Sequence, residues 1–162
     1  MRKIKLGTKE KSLKYDFRET CFGLYIKDNK LLVTYDKKYN QYSLIGRGIQ
    51  KNETKHEALR REFLEKAGIK IKNIKHFITI DCFWLASNNY PIESLANFYY
   101  IDIDKYLDIE CESSYEFIDV NNINIPLPYQ KKALELFIKE MRKWFVLFRE
   151  ACSLQLEETK LC

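Results

Sequence analysis

The stretch SLIGRGIQKNETKHEALRREFLEKAGI (residues 43–69) sets two glycines around an arginine, then a threonine, then a run of carboxylates and bases closed by Gly68. It reads either as a loop feeding an amphipathic helix or as a site that holds a metal against a phosphate. The helical half is well signalled. Ala58, Leu59, Phe63 and Ala67 recur at helical spacing and give one face to a core. Thr54 followed three residues on by Glu57 has the form of a capping box, in which each side chain satisfies the other's free backbone N–H. Gly68 suits the left-handed stop after the last turn. The spacing therefore predicts a helix over 54–67 that carries Glu62, Glu65 and Lys66 on one outward face. Two chemistries are open on that face. A solvated Glu62 to Lys66 ion pair contributes about 0.3 to 0.5 kcal/mol and nothing more. Alternatively, Glu62, Glu65 and Glu53, with the carbonyls of the glycine-containing turn, supply the oxygen ligands that hard divalent cations require.

Upstream of this stretch, residues 19–26 (ETCFGLYI) and 31–35 (LLVTY) are β-rich runs on either side of Asp28 and Asn29, which tolerate tight turns, and predict a hairpin. A short run over 42–45 leads into the loop. Downstream, 69–80, 81–86, 96–103 and 115–120 read as strands, with the polar SNNYPIES stretch (87–94) as the loop before the third. Pro126 and Pro128 end this region. From Tyr129 to Cys152, Ala133, Leu134, Phe137, Ile138, Met141, Trp144, Phe145 and Phe148 fall at the spacings of one long amphipathic helix. Strands, helix, strands, helix is the order of a mixed α/β domain. The chain is read as one unit over 1–162, with 1–14 as an N-terminal arm and 153–162 as a frayed end. The stripe at Trp144, Phe145 and Phe148 either packs on the sheet or offers a homodimer contact.

Composition narrows the functional classes. With 162 residues, 46% of them hydrophobic, the chain has the apolar material for a core. The net charge of +5 suits an anionic partner, but the lysines are scattered and no basic block interleaves with aromatics, which favours a nucleotide or other small phosphate compound over nucleic acid. The opening MRKIKLGTKEKS is followed by no apolar run of seven, and no stretch reaches the length of a bilayer span, so a cytosolic protein is expected. Five cysteines without a C-x-x-C pair point to reduced thiols rather than to a disulfide framework or a zinc site.

Glu53, then seven residues, then Arg61-Glu62-Phe63-Leu64-Glu65-Lys66-Ala67-Gly68-Ile69 resembles the signature of the Nudix hydrolases, G-x5-E-x7-R-E-u-x-E-E-x-G-u, where u is a bulky apolar residue. Seven of its nine specified positions match over 47–69. The resemblance implies a Nudix α/β/α sandwich over about 15–148. It also implies hydrolysis of a pyrophosphate bond in a nucleoside diphosphate derivative with Mg2+ or Mn2+. It assigns metal ligation to Glu62, Glu65 and the Gly46 carbonyl, support of metal-bound water to Glu53, and orientation of the glutamates to Arg61. The physical logic agrees, since cations neutralise a pyrophosphate and an adjacent carboxylate can accept the proton of the attacking water.

Two positions depart from the pattern. Arg47 stands at the signature's first glycine, between Gly46 and Gly48. A non-glycine residue there constrains the loop, and its guanidinium either reaches a phosphate or points into solvent. Lys66 stands at the second glutamate of the E-E pair, moving the local charge two units toward positive. At about 4 Å and an effective dielectric near 20, that difference amounts to roughly 8 kcal/mol before relaxation. Two expectations follow: a hydrolase with a reduced metal site, or a Nudix-type fold kept for binding or regulation, with Arg47 and Lys66 meeting the substrate in either case. Glu110, Glu112 and Glu116 are candidates for a further acidic ligand from outside the box. Trp84, Tyr90, Phe98 and Tyr99 either stack a base or fill the core. His56 and His76 are uninformative.

Overall fold

The computed structural model describes residues 2–37 and 39–158, with side chains of the last helix described as far as Lys143. Among the described residues, nine strands and two helices follow one another: β1 (Lys3–Leu6), β2 (Asp16–Leu24), β3 (Ile26–Lys27), β4 (Lys30–Asp36), β5 (Gln41–Ser43), β6 (Gly46–Gly48), α1 (Lys55–Ala67), β7 (Ile69–Leu85), β8 (Pro91–Tyr106), β9 (Ser114–Asp119) and α2 (Pro128–Glu158). They form two sheets. The first is mixed, in the order β1-β7-β8-β2-β6, with β1 parallel to β7 and β2 parallel to β8. In the second, β4 pairs antiparallel with β3, β5 and β9.

Two apolar clusters hold the layers together. Ala58, Leu59, Phe63 and Ala67 of α1 pack with Cys21, Leu32, Ile45, Ile69, Ile71, Tyr99 and Ile101. Ala133, Leu134 and Phe137 of α2 pack with Phe22, Leu24, Val33, Leu44, Ile78, Ile80 and Phe98. Along β2, Cys21 and Phe22 point to opposite faces, as the period of two requires, so consecutive residues serve the two helices. The result is the α/β/α sandwich. No helix among the described residues is long and apolar enough to cross a membrane.

Several elements differ from the local reading. The run over 19–26 divides at Tyr25: β2 enters the first sheet beside β8, and only Ile26 and Lys27 form the hairpin with β4. The turn itself is as expected, with Asp28 at φ 50° and Asn29 at φ 61°. The run over 42–45 also divides, because Gly46 turns the chain from β5 in one sheet to β6 in the other. Residues 69–80 and 81–86 form one strand rather than two, since β8 pairs with it along its whole length through three register shifts. Pro91 to Ser94 belong to β8, so the loop is shorter than 87–94. The arm over 1–14 contains β1, which takes an edge of the first sheet through the parallel register Lys3↔Thr79 to Leu6↔Cys82. The end at 153–162 is helical as far as Glu158, and residues 159–162 lie outside the described residues. The side chains of Trp144, Phe145 and Phe148, on which the dimer expectation rests, lie outside them too, as does that of Cys152.

Candidate functional site

Helix α1 carries the site and is held at both ends by its own sequence. The Thr54 hydroxyl accepts from the Glu57 backbone N–H at 3.2 Å, and the Glu57 carboxylate accepts from the Thr54 N–H at 2.7 Å. Gly68 closes the helix at φ 63° and donates to the Leu64 carbonyl at 3.0 Å. With the ends fixed, the rotation of the helix is set by Phe63 and Leu59 in the core, and Arg61, Glu62, Glu65 and Lys66 are delivered to one cleft.

Arg61 organises the carboxylates there. Its Nε and Nη2 fork onto the two oxygens of Glu53 at 3.1 and 2.8 Å, while Nη1 reaches Glu62 at 2.7 Å and Glu65 at 3.1 Å. The bidentate hydrogen bond from Arg61, with a backbone N–H from Gln50, holds the Glu53 carboxyl below the usual carboxylate range. The guanidinium is pushed above its own ordinary value, foremost by Glu53.

Glu62 is not on a solvated face. Its side chain is only 3% exposed, and each of its oxygens meets a cation: Oε1 the Arg61 guanidinium, Oε2 the Lys66 ammonium at 3.1 Å. Lys66, 16% exposed, also donates to the Gly46 carbonyl at 2.7 Å. The expected ion pair is therefore present but buried, and it closes on the carbonyl twenty residues upstream. Removing one partner of such a pair leaves an uncompensated buried charge. Beneath the cluster the Cys21 thiol is pushed up to about 12, first by burial and then by the charges of Glu62 and Glu53.

The carbonyl of Gly46 is presented by backbone that only glycine accommodates. Its φ is 149°, and a Cβ there would stand 2.0 Å from the Cys21 carbonyl oxygen. Arg47, at the departure from the signature, lies in β6 opposite Cys21 with its side chain exposed.

These residues line one open cavity of about 920 Å³ that runs from Gly46, Arg47, Arg61, Glu62, Glu65 and Lys66 to Thr20, Trp84, Ser94 and Tyr129. Of the acidic candidates outside the box, Glu112 borders the cavity, brought there by its backbone N–H bonded to the Glu65 carbonyl at 2.9 Å. Glu116 instead accepts from the Tyr42 hydroxyl, and Glu110 lies elsewhere. Among the aromatics, Trp84 lines the cavity, Phe98 and Tyr99 are core, and Tyr90 is exposed outside it. His56 and His76 stack edge-on against Tyr99 and do not border the cavity. Local reading missed Thr20, whose buried hydroxyl has no hydrogen-bond partner among the described residues although Thr20 lines the cavity, and Gln130, whose Oε1 accepts from the Leu44 N–H at 2.9 Å. A polar residue interrupting the apolar stripe of α2 was the available signal for Gln130.

Solved structures share the fold. A MutT Nudix hydrolase from Burkholderia pseudomallei aligns with TM-score 0.58 at 17% identity, covering 74% of this chain and 97% of that one. The chain has the Nudix fold. A UDP-X diphosphatase aligns over 80% of this chain and 66% of that one, with TM-score 0.63 and 14% identity. An ADP-ribose pyrophosphatase from Streptococcus suis aligns over 74% and 90%, with TM-score 0.51 and 10% identity. No family model matches the sequence, and no curated protein matches it. At these identities the likeness is one of Nudix architecture.

Proposed function

We propose that this protein hydrolyses the pyrophosphate bond of a nucleoside diphosphate derivative. The observation that carries the reading is the Arg61–Glu62–Glu65 cluster lining an open cavity, with Glu53 bonded to Arg61, on a fold shared with a UDP-X diphosphatase and an ADP-ribose pyrophosphatase. Magnesium or manganese, which the signature implies, would take Glu62, Glu65 and the Gly46 carbonyl. As folded, this donor set does not fit such an ion. Both oxygens of Glu62 and the Gly46 carbonyl are already engaged by Arg61 and Lys66, and an ion there would meet an ammonium within a few ångströms.

The chain's own groups nonetheless supply much of what the reaction needs. Lys66 and Arg47 bring positive charge to the phosphate oxygens, and Arg61 fixes the carboxylates. Water would add to phosphorus as the bridging P–O bond breaks. Glu65, at 42% exposure the most open of the three glutamates, would accept its proton.

A second reading, binding without cleavage, is favoured by the Lys66 ammonium standing between Glu62 and Gly46. Hydrolysis of a panel of nucleoside diphosphate derivatives, with and without Mg2+ or Mn2+, separates the two. The hydrolase reading expects wild-type turnover that Glu62→Gln lowers at least about tenfold. Silence of the wild type across the panel, with turnover gained by Lys66→Glu, would instead establish the binding reading.

A further inference from the structure

Lys66 does more than neutralise Glu62. An ammonium has three N–H donors. In this chain one goes to the Gly46 carbonyl at 2.7 Å and one faces Glu62 Oε2 at 3.1 Å. The remaining donor sits on a residue that borders the cavity, beside Gly46 and Arg47. The carbonyl it uses is fixed by backbone that only glycine adopts, and the carboxylate it uses is almost wholly buried. The head of Lys66 is thus held by two groups that cannot readily move. A lysine held in this way is a fixed positive charge, unlike the wandering ammonium of a surface lysine.

The two groups that hold it are the ones the Nudix signature assigns to a metal ion. Arg61 takes the other oxygen of Glu62, so a divalent ion could enter only by expelling the ammonium from both contacts. Three carboxylates (Glu53, Glu62, Glu65) already face two cations (Arg61, Lys66), and the exposed Arg47 lies on the same cavity. The cluster does not carry the excess negative charge that recruits a divalent ion. With Arg47 counted, three cations face three carboxylates, and the Lys66 ammonium and the Arg47 guanidinium are the positive groups beside Gly46 that can meet the oxygens of a diphosphate.

We propose that Lys66 is a tethered cation that takes the place of the metal in binding, so that the cleft captures the diphosphate group of its ligand without any divalent ion. The proposal rests on the reading that the cleft takes a diphosphate compound, and it specifies what holds that group. Arg47 shares the load from the rim, while Arg61, fully engaged with glutamates, does not.

Isothermal titration calorimetry of the full chain with ADP and with inorganic pyrophosphate, in EDTA and in magnesium, tests this. The expected result is binding by the wild type in EDTA with a Kd within about threefold of that in magnesium. Lys66→Met should weaken binding in EDTA at least about tenfold, Lys66→Arg should recover part of it, and Lys66→Glu should bind only when magnesium is added. Thermal melts of each variant separate lost binding from lost folding, and Arg47→Met, at an exposed strand position, gives a second reading that does not depend on the buried pair. Wild-type binding that requires magnesium would overturn the inference while leaving the cleft's diphosphate chemistry intact. So would undiminished binding by folded Lys66→Met. No binding and no hydrolysis in either buffer would remove both.

Discussion

Arg61 is the residue on which the site's electrostatics turn, because one guanidinium serves three carboxylates whose mutual repulsion would otherwise drive them apart. Its hold on Glu53 has a consequence in pH. The folded Glu53 carboxyl lies below its ordinary value of 4.5, so the stabilisation is complete above that value and is lost as pH falls through the lower folded one. Melting temperatures of wild type and Glu53→Gln should therefore differ most near neutral pH, and the gap should close as the pH is taken below about 4.5. A gap that stays constant through acid would mean that the Glu53 charge contributes nothing. The residue scale is also where local reading was weakest. An i,i+4 spacing announces that Glu62 and Lys66 can meet. It does not reveal that Glu62 is buried, or that Gly46 offers its carbonyl to the same ammonium, since both depend on β6 pairing with β2.

At the scale of elements, α1 is written almost entirely in its own residues. Thr54, Glu57 and Gly68 cap it, and Ala58, Leu59, Phe63 and Ala67 bury it, each through contacts within one or two turns or through a face whose period is visible in the chain. Thr54→Ala removes an acceptor for the Glu57 N–H and should cost about 1 kcal/mol, read as a lowered urea midpoint at unchanged slope. An unchanged midpoint would show that packing alone holds the helix start. The strands were less legible for a physical reason. A β-rich run carries a period but no partner, so residues 19–26 announce a strand without saying that β2 leaves the hairpin for a parallel pairing with β8, some 76 residues away in register. The joining of 69–80 and 81–86 into β7 is the same case, because β8 supplies the continuity.

At the scale of the molecule, the two sheets and two helices bring Gly46 and the outward face of α1 to one cavity, and the Nudix architecture was legible because its signature is local to 47–69 while the sandwich around it follows from the order of elements. The far wall of the cavity was not legible. Thr20, Trp84, Ser94, Tyr129 and Gln130 come from four separate elements that only the topology unites. The chemistry of the cleft turns on the Lys66 ammonium holding the position between Glu62 and the Gly46 carbonyl. Crystals of wild type and Lys66→Glu soaked in Mn2+ test it most directly through the anomalous difference map. A manganese peak is expected beside Gly46 and Glu62 in Lys66→Glu, and in the wild type the lysine at that position with no peak. A manganese ion bound there in the wild type, with Lys66 displaced, would contradict it.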